Sequence, residues 1–250
     1  MKGLIRKWSR KRAIFAATLV LGLAAATVAP QPQVKIAQTD RDKALEAIRL
    51  NNLGAAYMNQ RRSEAALKDF EQAYALDPHL LAAHLNEGIA LLDLQRLEPA
   101  REVLTQATAQ QPNDPRAWFN LGLLHRKLDE TDDALAAFGR VAQLDPKDAD
   151  THYFLGALYQ SDKKLDLAVA GYRRALEIDP FHVSAQFGLA NAYQRMGDSE
   201  EARKQLDRFQ KLTQDKLGAP IGTTYGDQGK YSLAEQVQLP PGAAAKSIAV

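Results

Sequence analysis

The sequence predicts an all-α protein: a solenoid of about five helix-turn-helix repeats. Three observations predict it. The stretch Pro115 to Asp148 recurs every 34 residues over five copies, with no insertion or deletion. Small residues and prolines return at fixed offsets within it: Gly54, Gly88, Gly122, Gly156 and Ala190; Ala66, Ala100, Ala134, Ala168 and Ala202; Pro78, Pro112, Pro146 and Pro180. Apolar residues step at helical spacing in two blocks per copy, as in Trp118, Leu121, Gly122 and His125, then Ala134, Leu135, Phe138, Val141 and Ala142.

Each unit therefore reads as two antiparallel helices, A and B, parted by the polar break at Asp129 to Asp132. Gly122 and Ala134 are small where the helices come close. Asp145 precedes a proline, which pushes it out of the α region and ends helix B. Asp114 caps the next helix A, with Pro115 in its first turn. One such unit is too short to bury a core alone, so stability belongs to the stack.

Along the chain, residues 1–29 form a basic start followed by the 17-residue apolar run Ala13 to Ala29. A basic start, a short apolar run and a small-residue end mark an export signal. The run also reaches the lower limit for spanning a bilayer, so a cleaved signal and a retained anchor both stay open. Either places the repeats outside the cytoplasm: periplasmic, inner-membrane anchored or secreted. Residues 30–39 read as a polar linker, and Asp40 caps an extended first helix. The repeat domain spans 40–216, in units 47–80, 81–114, 115–148, 149–182 and 183–216. Its last helix carries a charged outer face (Arg203, Lys204, Asp207, Arg208, Lys211) and serves as the C-terminal cap. From 217 to 250 glycine and proline crowd the chain, periodicity is lost, and the segment reads as loop or linker, with one or two helical turns between Ser232 and Val237.

The repeat resembles the tetratricopeptide (TPR) family. Repeat 1 supplies Leu50, Leu53, Gly54, Tyr57, Ala66, Phe70, Ala73 and Pro78 in the family's slots. Repeat 3 supplies Trp118, Leu121, Gly122, His125, Ala134, Phe138, Val141 and Pro146, and repeat 4 supplies His152, Leu155, Gly156, Tyr159, Ala168, Tyr172, Ala175 and Pro180. Repeats 2 and 5 are weaker. The resemblance implies a right-handed solenoid whose concave side is lined by helices A. The run GTTYGDQGKYSLAEQV, followed by Pro240-Pro241, is similar to the junction of bacterial exported TPR proteins that carry a C-terminal β-propeller with an ASPIC/UnbV-type domain.

Composition narrows the function classes. There is no cysteine, which removes disulfides, thiolate metal sites and a cysteine nucleophile. Six of the 32 basic residues lie in the first twelve positions; beyond them 26 bases face 30 acids, a net of −4. That is no basic stripe for nucleic acid. The five histidines occupy packing slots or follow Asp-Pro breaks, and no two sit at a one-turn spacing with a carboxylate nearby, as a metal site would require. The Gly226 to Tyr231 run lacks the first glycine and the Ser or Thr of a phosphate loop. No cofactor and no catalytic constellation is indicated, so the chain reads as non-catalytic.

What remains is a binding surface. Asn52, Asn86 and Asn120 recur at the period, two residues before the Gly slot. Stacked repeats align them as a ladder, and each amide carries the donor and acceptor that a peptide backbone needs. Arg116, Phe119, Leu123, Arg126, Tyr153, Phe154, Phe187, Asn191 and Arg195 complete the expected groove, suited to apolar anchors beside an acidic group. The basic clamp of chaperone-binding family members is not reproduced. The expected function is a protein-protein interaction scaffold for an extended peptide or partner helix, with membrane contact only through the N-terminal segment. Two alternatives stay open: the N-terminal module of a larger exported protein, and an envelope or secretion-complex assembly factor.

Overall fold

The computed structural model describes residues 32–241, and within them the chain forms ten α-helices. They are α1 (Pro32–Asn59), α2 (Ser63–Leu76), α3 (Leu81–Asp93), α4 (Leu97–Gln110), α5 (Pro115–Lys127), α6 (Thr131–Leu144), α7 (Ala149–Ser161), α8 (Leu165–Ile178), α9 (Val183–Met196) and α10 (Ser199–Gln214). Odd-numbered helices are the A helices and even-numbered ones the B helices. Each packs on its neighbours in sequence, and A helices also touch the A helix of the next unit, which makes a two-layer solenoid.

Local chemistry sets the boundaries. Asp114 accepts a hydrogen bond from the Arg116 amide at 2.9 Å with Pro115 in the first turn, and Asp148 accepts from the Thr151 amide at 2.9 Å. Before α9 the cap is His182, whose Nδ1 accepts from the Ala185 amide at 3.1 Å. Asp145 leaves the helical region (φ −133°, ψ 86°) before Pro146 and ends α6. The turn from each A helix to its B helix uses one left-handed residue, again at the 34-residue period: Arg61, Gln95, Asp129, Lys163 and Gly197, with φ between 58° and 84°.

The two layers meet on fully buried Phe70, Leu104 and Phe138, with Tyr172 nearly so. The glycine slots allow this approach. A Cβ on Gly54 would come within 2.6 Å of the Phe70 ring, and one on Gly122 within 3.0 Å of the Phe138 ring. Phe119, Phe138 and Phe154 form an aromatic knot between repeats 3 and 4; Phe138 stacks on Phe154 at 5.0 Å and Phe119 meets both edge-on.

Two expectations need correction. Positions 32–39, read as linker, are the first turns of α1, which runs unbroken into repeat 1. The tail, read as loop or linker with one or two helical turns between Ser232 and Val237, packs back onto the array. After α10 it enters the concave side and lies against the A helices. Among the described residues of the tail the helical piece is a 3₁₀ turn at Lys230–Ser232, and at Leu233 the backbone is extended (φ −86°, ψ 140°) rather than helical. The charged outer face of α10 is exposed, as expected of a cap. Among the described residues no helix is long and apolar enough to cross a membrane; the apolar run expected at 13–29 lies outside them.

Candidate peptide-binding groove

The groove is built by the inner faces of α1, α3, α5, α7 and α9. Because A helices recur at one orientation, residues 34 apart point into the groove in register. Asn86 is fully buried; its Nδ2 donates to the Glu235 carbonyl at 2.8 Å and its Oδ1 accepts the Glu235 amide at 2.8 Å. Asn52 does the same to Val237, at 2.8 Å and 2.7 Å. Asn120 donates to the Tyr231 carbonyl at 2.8 Å, and also to the Arg116 carbonyl at 2.8 Å. Arg116 covers the residue between: its Nη2 donates to the Leu233 carbonyl at 2.7 Å, and its Nη1 pairs with the Glu235 carboxylate at 2.7 Å. Carbonyls 231, 233, 235 and 237 are thus all held, at the two-residue period of an extended strand.

The tail passes through the groove twice. It enters where the Ile221 amide donates to Ser184 Oγ on α9, at 2.8 Å. It then runs toward the first repeat, where the buried Tyr225 donates to Asn59 Oδ1 at 3.3 Å. Gly229 turns it back with φ 101°, at a point where a Cβ would collide with the Asp150 carboxylate. A clasp follows: Asp145 Oδ2 accepts from Lys230 Nζ at 2.8 Å and from the Tyr231 hydroxyl at 2.7 Å, and Lys230 also reaches Asp148 at 3.3 Å. The bonds from Lys230, then Tyr231, hold the Asp145 carboxyl down to about 2. Burial works against the Lys230 charge, but its carboxylate partners carry its pKa above the usual value. Burial and the bond to Asp145 push the Tyr231 hydroxyl up to about 12. Tyr225 closes the loop by accepting the Ala234 amide at 3.0 Å, tying the first pass to the second.

The other expected groove residues divide. Phe119, Phe154 and Leu123 are fully buried in the core, so they are not open anchors; the Phe119 ring lies 5.8 Å from that of Tyr231 in the tail. Phe119 sits one position before the Asn slot, whereas Phe154 occupies that slot, 34 residues after Asn120, and its ring turns into the aromatic knot with Phe119 and Phe138. Arg126 stretches over the Phe154 ring at 5.0 Å, and burial lowers its pKa. Arg195 is exposed and donates to the Gln160 carbonyl at 2.9 Å. Tyr153, Phe187 and Asn191 line a cavity of about 290 Å³ at the repeat 4–5 end, together with Gln160, Tyr172 and Ser184. Pro220, at the tail's entry, forms part of its wall, and the ladder contacts of the second pass lie elsewhere.

Asn51, Asp145, Asp148, Ser184 and Asn59 also hold the tail and were not in the expected set. Asn51 had a signal, since it adjoins Asn52; its Nδ2 donates to the Glu235 carbonyl at 2.9 Å and its Oδ1 accepts from Asn86 at 2.8 Å. His125 pairs with a carboxylate: its Nδ1 lies 2.6 Å from Glu130. His125, Glu130 and Asp133 are the one such group of three among the described residues. Both Glu130 oxygens are held by the Arg101 fork at 2.7 Å and 2.9 Å, so this is an ion-pair network on the outer surface. Arg101, then His125, draw the Glu130 carboxyl down to about 2.

Ten helices in A/B pairs, glycine-slot packing and an inner face that holds polypeptide define a TPR-type solenoid, an architecture whose concave surfaces are binding surfaces. The family model for the cilia and flagella-associated protein 70 C-terminal domain, a TPR domain, matches residues 22–245, and the chain belongs to that family. Solved structures agree on the fold. A crystal structure of MamA is similar over 65% of this chain and 95% of that one, at 24% identity and a TM-score of 0.61. MamA from residue 41 to the end, from Desulfovibrio magneticus RS-1, is similar over 69% of this chain and 98% of that one, at 21% identity and a TM-score of 0.64. No curated protein sequence matches the chain.

Proposed function

We propose that the protein is a non-catalytic scaffold whose concave groove binds an extended segment of another protein by its backbone. The observation that carries this is the two-point pairing of Asn86 with Glu235, repeated by Asn52 with Val237. An amide that satisfies both the N–H and the C=O of one residue recognises extended polypeptide without regard to its side chain. Side-chain choice then comes from the Arg116 guanidinium and the ring of Phe119. The location belongs to the same proposal: the basic and apolar residues of 1–29 support export, with the repeats outside the cytoplasm.

The test uses the full chain carrying Lys230→Ala and Tyr231→Ala, which removes the clasp on Asp145. A fluorescent synthetic peptide spanning residues 230–241 is titrated in, with circular dichroism confirming the fold. Saturable binding is expected, weakened at least tenfold when Asn52→Ala and Asn86→Ala are added. A folded variant that takes no peptide would overturn the groove as a binding site.

A further inference from the structure

The tail is an incomplete occupant of the groove. Three buried groove atoms find no partner while it is there: Asn120 Oδ1, Arg116 Nε and Arg126 Nε. The reason is geometric. At Lys230–Ser232 the tail folds into a 3₁₀ turn closed by the Ser232 amide on the Gly229 carbonyl at 3.1 Å. Asn120 therefore meets a carbonyl but no amide, where Asn86 and Asn52 meet both. Beyond that turn the tail veers to Asp145 and Asp150, and its second pass does not extend to Arg126 or to the cavity of about 290 Å³ lined by Tyr153, Tyr172, Phe187 and Asn191, whose wall is completed by Pro220 of the first pass. The second pass buries Ser232 but leaves other side chains open to solvent. The side chains of Lys230 and Glu235 are 55% and 44% exposed, and Leu233 is 38% exposed.

Resting on the reading of the groove as a peptide site, we propose that residues 229–237 are a displaceable plug, and that the ligand that displaces them is a straight, extended, acidic-aromatic segment of another protein. Its backbone pairs with Asn52, Asn86 and Asn120 alike. A carboxylate meets Arg116, as Glu235 does, and an aromatic ring four residues earlier meets Phe119, as Tyr231 does. Where the tail bends away, this ligand runs on N-terminally past Arg126 and puts an apolar side chain into the cavity at Phe187. It gains what the tail leaves unmet: an amide for Asn120 Oδ1, an acceptor for Arg126 and burial of the half-exposed Phe187. Tethering gives the tail a high effective concentration, about millimolar for a short linker, so weak or mismatched segments stay out. The groove is thereby self-closing and selective.

The experiment is amide hydrogen exchange on the full chain, alone and with a synthetic 14-residue peptide carrying Leu, then Tyr, then Glu four residues after the Tyr. Alone, the Glu235 and Val237 amides are expected to exchange at least tenfold faster than those of α3 and α5, and the peptide should speed them further. Peptide affinity should fall at least tenfold on Glu→Lys in the peptide and recover when Arg116→Glu is made in the protein. Tail amides as slow as the helices would show a permanent core strand and overturn the plug. A peptide that binds equally well without its Tyr and Glu would overturn the acidic-aromatic ligand and leave backbone reading standing. Failure of every peptide, even on the clasp-free variant, falls instead on the groove function itself.

Discussion

Asn86 and Glu235, 149 residues apart, form a closed two-point pair in which the Asn side chain completes the backbone hydrogen bonding of an extended residue at 2.8 Å in both directions. Asn86 also donates to Asn51 Oδ1. Substituting Asn86→Ala leaves the Glu235 amide and Asn51 Oδ1 without their partner, while the Glu235 carbonyl keeps the bond from Asn51 Nδ2. The expected loss is about 1–3 kcal/mol, read as a lower urea midpoint, against about 1 kcal/mol for Asn52→Ala at its half-buried site.

The Asp145 clasp predicts a pH dependence. The folded carboxyl sits at about 2, below the ordinary aspartate value of about 3.9. A depressed acid stabilises the fold fully above its unfolded pKa and loses that contribution as pH falls through the folded one. Wild type should therefore exceed Asp145→Asn by about 2 kcal/mol at pH 6, with the gap closing between about pH 4 and pH 2. Tyr231 sets the alkaline edge. Its folded value of about 12 lies above the ordinary value of about 10, so its contribution is complete below pH 10 and lost toward pH 12. Urea melts at pH 6, 4 and 2.5 check the acid limb.

The left-handed turn positions predict a stabilising change. Lys163 holds φ 62° at the place where repeat 5 has Gly197 with φ 84°. Left-handed backbone strains a residue with a Cβ, and glycine relieves this at some entropic cost. Lys163→Gly should stabilise by about 0.5–1 kcal/mol, raising Tm by about 1–4 °C, and Gly197→Ala should lower it. Differential scanning calorimetry reads both.

Two helical glycines should respond with opposite sign. A Cβ at Gly54 would lie 2.6 Å from the Phe70 ring, so Gly54→Ala should cost about 1–3 kcal/mol by overpacking. Gly139 in α6 has nothing within 4 Å of that position, so Gly139→Ala should gain about 1 kcal/mol of helix propensity. Chemical denaturation of the pair separates interlayer packing from helix propensity.

The repeat was legible in the sequence because one packing rule, a glycine under a large side chain of the next helix, imposes residue types every 34 positions. The Asn residues were legible because Asn52, Asn86 and Asn120 recur at that period, two positions before the glycine. The left-handed turns were not, since Arg, Gln, Asp, Lys and Gly share no chemistry at that slot. Phe119 was misplaced because a step of one residue on a helix separates groove from core, and Phe154 because an aromatic ring in the Asn slot packs into the knot with Phe119 and Phe138 instead of facing the groove. The occupant of the groove could not be read at all. Lys230 finds Asp145 across 85 residues and Val237 finds Asn52 across 185, and no local pattern in a Gly- and Pro-rich segment encodes such pairings.

The most direct measurement is nitrogen-15 NMR of the Asn52, Asn86 and Asn120 side-chain amides while the acidic-aromatic peptide is titrated into the full chain. If the groove reads extended polypeptide through these groups, their signals shift with saturation, Asn120 included, while the Glu235 and Val237 backbone amides move to random-coil positions. Side-chain amides that stay fixed while the peptide perturbs only the outer face or the end of α10 would contradict the account.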